Sequence, residues 1–137
     1  MVKKQKLWVY NPQTPLMPKV PDNIKAEVEQ KTLALVDGVL KPNHVKPPPP
    51  KEEWNYIVDI YTKWYRGYFY FCAKYKVSGP NAISPFFEAK FARMEYVGDN
   101  RFNLAYIRHT EKWFEIFTDL TIDQCLESVK DDPMFFP

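Results

Sequence analysis

Residues 54–77, WNYIVDIYTKWYRGYFYFCAKYKV, constrain the fold more than any other stretch. Ten of these twenty-four residues are aromatic. That composition suits a pleated, half-buried surface and suits an exposed helix badly. The period is two. Tyr56, Val58, Ile60, Thr62 and Trp64 share one face, and Ile57, Asp59, Tyr61, Lys63 and Tyr65 share the other. The first set is the more apolar and is assigned to the core. Arg66-Gly67 interrupts the alternation and predicts a hairpin turn, with glycine supplying positive φ. In the second strand Phe69, Phe71, Ala73, Tyr75 and Val77 face the core. Tyr68, Tyr70, Cys72, Lys74 and Lys76 face away. The outward side is therefore aromatic and basic.

Upstream, residues 1–21 read as a basic, proline-punctuated arm, with Pro12, Pro15, Pro18 and Pro21 favouring extended chain. Leu7-Trp8-Val9-Tyr10 is an edge strand or an anchor that docks on the body. Residues 22–137 read as a single domain. Its first helix runs from Asp22 to about Leu40, with Asp22 expected to cap it. Ile24, Val28, Leu35 and Val39 form the stripe, with Ala26, Leu33, Val36 and Leu40 flanking. Gly38 predicts unwinding of the last turn, and Lys41-Pro42 a stop. Residues 42–50 hold five prolines and form a spacer.

Downstream, Ser78-Gly79-Pro80-Asn81 is a turn. Phe86 to Tyr96 is a third strand, and a change of phase between Phe91 and Ala92 predicts a bulge. Gly98-Asp99-Asn100 turns into a fourth strand, Arg101 to His109, and Trp113 to Phe117 is a fifth. Thr121-Ile122-Asp123-Gln124 is a capping box for a closing helix with Ile122, Cys125, Leu126 and Val129 buried. Asp131-Asp132-Pro133 ends that helix, and Met134-Phe135-Phe136 is expected to fold back on the core. The fold class is thus α+β: an antiparallel meander of about five strands between an N-terminal and a C-terminal helix, in two layers.

Several of these residues carry a family resemblance. Arg66-Gly67, Phe91-Ala92-Arg93-Met94-Glu95-Tyr96, Phe102-Asn103-Leu104-Ala105-Tyr106, Arg108, Trp113 and Asp131-Asp132-Pro133 resemble the pattern of a small bacterial family of uncharacterised function. The resemblance spans Asp59 to Pro137 and implies the same fold. It implies no catalytic residue.

The chemistry in the chain is sparse. His44 and His109 stand alone, and no Cys-x-x-Cys or His-x-x-His spacing exists, so neither a metal site nor a cofactor is expected. Cys72 and Cys125 read as small core residues rather than a disulfide framework, which suits a reducing cytoplasm. The start lacks an apolar leader, and no apolar run could span a bilayer. Glu52-Glu53 and Asp131-Asp132 read as solvated or capping groups, so no catalytic residue is assigned. Arg66-Gly67-Tyr68-Phe69-Tyr70-Phe71 resembles the start of the RNA-recognition-motif signature. It departs where Phe69 replaces the small residue and Ala73 the last aromatic, and the motif is rejected.

What remains is a binding face: Tyr61, Lys63, Arg66, Tyr68, Tyr70, Lys74 and Lys76. It suits a non-catalytic interaction module that meets a protein, foremost a second copy of the chain. The charge distribution agrees. Residues 110–137 carry seven acids and two bases, a net of −5, so the total of +2 leaves +7 on residues 1–109. Nucleic acid is the alternative partner, with Lys3, Lys4 and Lys6 joining the face, and an enzyme without a recognisable motif is a third reading.

Overall fold

The computed structural model describes residues 18–47, 55–77, 84–108 and 110–137. The Leu7–Tyr10 segment, the lysines before it, Pro12, Pro15, Pro48 to Pro50, Glu52, Glu53, Trp54, the Ser78–Asn81 turn and His109 lie outside the described residues.

Five antiparallel strands follow one another in space as they do in sequence: β1 (Tyr56–Tyr65), β2 (Tyr68–Lys76), β3 (Phe86–Gly98), β4 (Arg101–Ile107) and β5 (Trp113–Leu120). Helices α1 (Asp22–Leu35) and α3 (Ile122–Asp131) cover one face. The α+β meander is therefore the architecture. No helix among the described residues is long and apolar enough to cross a membrane.

The core lies between the helices and the sheet. Phe69, Phe71, Met94, Phe102 and Leu104 supply its sheet side, and Val28, Leu40, Cys125 and Val129 its helix side. Ile60 and Trp64 join it from β1 as expected, but so does Ile57. The cause is a bulge: Ile57 pairs with Tyr75 while Asp59 pairs with Lys74, so Val58 is the extra residue. One added residue reverses the faces before it. The bulge expected in β3 is present. Phe71 pairs with Ala92 and Cys72 with Lys90, leaving Phe91 between them.

At the β1–β2 turn the left-handed residue is Arg66, φ 56°, so the positive φ expected of glycine falls on its neighbour. At the β3–β4 turn Asp99 and Asn100 have φ of 52° and 59°, the pair that a type I′ hairpin requires.

The first helix departs from expectation at both ends. Pro21 is its N-cap, and Asp22 is a helical residue without a side-chain cap. The buried stripe is Val28, Thr32, Val36 and Leu40, spaced by four, while Leu33 is 61% exposed. Nor does Pro42 stop the helix. Val36–Leu40 is a π-turn, in which the Lys41 amide donates five residues back to Val36, and α2 (Lys41–His44) continues through the proline. The wider turn moves the hydrogen-bond register where proline has no N–H to give. His44 ends α2 with its ring 5.0 Å from Phe136, and burial lowers its pKa.

The last helix obeys its local chemistry. The Gln124 amide donates to Thr121 Oγ1 at 3.2 Å, and the Thr121 amide donates to Gln124 Oε1 at 2.9 Å. Ile122, Cys125, Leu126 and Val129 are buried. Beyond it the Met134 amide donates to Asp132 Oδ1, and a 3₁₀ turn, Pro133–Phe135, returns Phe135 to full burial.

Candidate functional site

The sheet face that no helix among the described residues covers, the helix-free face, gathers most of the residues that the sequence singled out. Register sets its membership. Tyr61 lies opposite Cys72, Lys63 opposite Tyr70, Lys74 opposite Glu88 and Tyr70 opposite Arg93. Arg93 in turn faces Ala105, and Ala105 faces Glu115. Arg93 reaches this face because Phe91 bulges; without the extra residue its side would be the core side.

Arg93 is the centre. Its guanidinium carbon sits 4.5 Å from the Tyr68 ring and 4.8 Å from the Trp113 ring. Tyr70 lies 5.9 Å from Tyr68 and 5.8 Å from Trp113, with the Lys90 ammonium 5.5 Å from its own centroid. These are cation–π distances. Arg93 Nε is buried in this cluster and finds no acceptor among the described residues. Lys74 and Lys76 stand over Phe86 at 4.5 and 5.4 Å. Arg66 sits apart from Arg93, at the hairpin tip over Tyr65.

A charged network borders the rings. Glu88 accepts from Lys63 at 2.8 Å and from the Tyr61 hydroxyl, and Lys90 stands 3.4 Å away. The Lys63 ammonium, then the Tyr61 hydroxyl, pull the Glu88 carboxyl down to about 2. Burial, then the Glu88 bond, pushes the Tyr61 hydroxyl up. Glu95 is raised, first by burial and then by its hydrogen bond with Glu115, while Arg93 pulls the other way.

These side chains tile the face closely enough to bury what lies beneath. Cys72 is fully buried here and not in the main core. Burial pushes its thiol up to about 11, and pushes Cys125 up to about 12 in the core. A thiol nucleophile needs the opposite shift. Tyr61, Tyr68 and Tyr70 are each half-buried by their neighbours. Among the described residues no group of three or more His, Cys, Asp or Glu is placed to hold a metal ion.

Glu88, Lys90, Arg93, Glu95, Trp113 and Glu115 were absent from the sequence-derived face. Carrying the strand pairing past β2, with the Phe91 bulge counted, would have found them.

A second concavity, of about 440 Å³, flanks the outer edge of β1. Asp59 to Trp64 line it on one side, and Glu29, Leu33, Val36, Asp37 and Lys41 on the other. Lys41 bridges Asp37 at 3.4 Å and Asp59 at 3.2 Å.

A family model described as "Domain of unknown function (DUF3024)" matches residues 19–137. No curated protein and no solved structure matches the chain.

Proposed function

The chain belongs to the DUF3024 family, and we propose that it is a non-catalytic binding module whose helix-free sheet face holds a partner protein, with Arg93 as the anchor. The observation that carries this reading is Arg93 flanked by Tyr68 and Trp113 at 4.5 and 4.8 Å. Arginine, tyrosine and tryptophan are the residues that dominate interface energetics. A guanidinium already fixed between rings loses little rotamer freedom on binding.

The partner is an acidic segment. Six cations, Lys63, Arg66, Lys74, Lys76, Lys90 and Arg93, stand on this face and its rim with four acids, Asp59, Glu88, Glu95 and Glu115. Nucleic acid fits less well, because the rings that would stack on bases already carry cations. A cytoplasmic setting is supported by two free, buried cysteines.

Fluorescence anisotropy with two labelled probes tests the reading: a peptide of alternating Glu and Leu, and a single-stranded oligothymidylate. The peptide is expected to bind, and Arg93→Ala to weaken it at least tenfold. Absence of peptide binding, or binding indifferent to Arg93→Ala, overturns the proposal. Binding of the oligonucleotide alone, falling steeply with salt, would transfer the face to nucleic acid.

A further inference from the structure

The two edges of the sheet are built differently. β5 is blunted: its pairing with β4 slips twice, and Asp119 adopts φ 59° within the slip between Phe117 and Leu120. Such irregularities keep an edge from recruiting another strand. β1 has a single slip, at Val58, and from Asp59 to Tyr65 its register to β2 runs unbroken. That stretch contains no proline. The Ile60 amide donates to the carboxylate of Asp59, its own neighbour, at 2.9 Å, so it points outward from the sheet. By the alternation of an antiparallel ladder, Thr62 and Trp64 present their backbone groups on the same side.

We propose that this edge pairs with the β1 edge of a second copy, antiparallel about a two-fold axis through Tyr61, to give one continuous ten-stranded sheet. The register follows from the sequence. With Tyr61 opposite its counterpart, residue Asp59 faces Lys63 of the second copy and Lys63 faces Asp59, so two opposite-charge pairs form by symmetry. Ile60 faces Thr62 in the same register, and these are the residues whose amides and carbonyls point outward. Any shift by one residue along the strand loses the charge pairing.

The helix side agrees. An axis normal to the sheet places both helix layers on one face. Leu33, 61% exposed on α1, lines the concavity beside this edge. In the pair it lies beside its counterpart, which removes an exposed leucine from water on each copy. Asp59 and Lys63 are free to reach across, with 46% and 44% of their side chains exposed despite their bonds to Lys41 and Glu88. Tyr61 and Lys63 border the other sheet face as well, but Arg93, the anchor proposed there, lies on β3 and has no part in this interface.

Sedimentation equilibrium of the full chain at tens of micromolar is the test. The expected mass is twice the chain's 16.3 kDa. Asp59→Lys and Lys63→Asp should each weaken the dimer at least tenfold, because each sets like charges face to face. The double variant should restore it, although it cannot restore the bonds to Lys41 and Glu88. Thr62→Pro removes an outward amide and should give a monomer whose circular dichroism matches the parent. A monomeric full chain overturns the proposal. If its Thr62 amide is nevertheless slow to exchange, another part of the same chain covers the edge. A dimer indifferent to all four variants overturns it as well and moves the interface elsewhere.

Discussion

The last five residues offer a sharp test of what holds this domain together. Phe135 is fully buried, with its ring 6.2 Å from Tyr106 and 6.3 Å from Phe117. Its neighbour Met134 is 55% exposed. An aromatic side chain removes about 150–250 Å² from water. At about 25 cal/mol per Å² that is about 4–6 kcal/mol. Residual burial in the unfolded chain trims it by roughly a tenth to four tenths. The result spans about 2–5 kcal/mol, which overlaps the range of about 3–5 kcal/mol for buried Phe→Ala changes, so Phe135→Ala should cost about 3–5 kcal/mol. Met134→Ala should stay within about 0.5 kcal/mol. Urea unfolding at 25 °C, followed by circular dichroism, reads both. A Phe135→Ala loss below about 1 kcal/mol, or equal losses at the two positions, would refute the claim that the C-terminal turn is part of the core.

Thr121→Ala should lower stability by about 1 kcal/mol, since it removes the acceptor for the Gln124 amide; an unchanged urea midpoint would count against the capping box. Glu88 is depressed from 4.5 to about 2 in the fold, so its contribution is present above 4.5 and lost as pH falls toward 2. Carboxyl NMR should find Glu88 the last glutamate to protonate on acidification, and an ordinary midpoint would contradict the Lys63–Tyr61 clamp. Glu95 has the opposite sign: its raised pKa favours the fold below 4.5 and costs stability as pH rises through the folded value. Glu95→Gln should thus stabilise at pH 7 and change little at pH 4, which paired melting curves would check. Ellman's reagent at pH 8 should reach Cys72 and Cys125 at the rate of unfolding, because both thiols are buried and raised; prompt reaction of either would show an open path to it.

How much of this was legible depended on the range of the interaction. The Thr121 capping box was readable because its partners lie three residues apart. The Phe91 bulge was readable because aromatic and small residues change phase on either side of it. The Val58 bulge was not. Ile57 and Val58 are equally apolar, so the pattern is the same whichever faces inward. The π-turn was hidden for a related reason. Pro42 reads as a stop when an ordinary helix is assumed, and only the five-residue step from Lys41 to Val36 lets the chain pass it. At the candidate site, Tyr61, Lys63, Tyr68 and Tyr70 were visible as one alternating hairpin. Arg93 and Trp113 were not, because their placement accumulates through three strand pairings and one bulge.

The serial strand order has a kinetic consequence. Each strand pairs with its neighbour in sequence, so the sheet can assemble through a series of small loop closures. Joining the two ends of the chain is another matter. Lys31 on α1 meets Asp123 on α3 at 2.9 Å across 92 residues. Closing a flexible loop of that length costs about 4 kcal/mol in chain entropy, growing as the logarithm of its length. Once the meander has formed, most of that distance is already spanned by ordered strands. The contact between α1 and α3 is therefore expected to form late, after the meander.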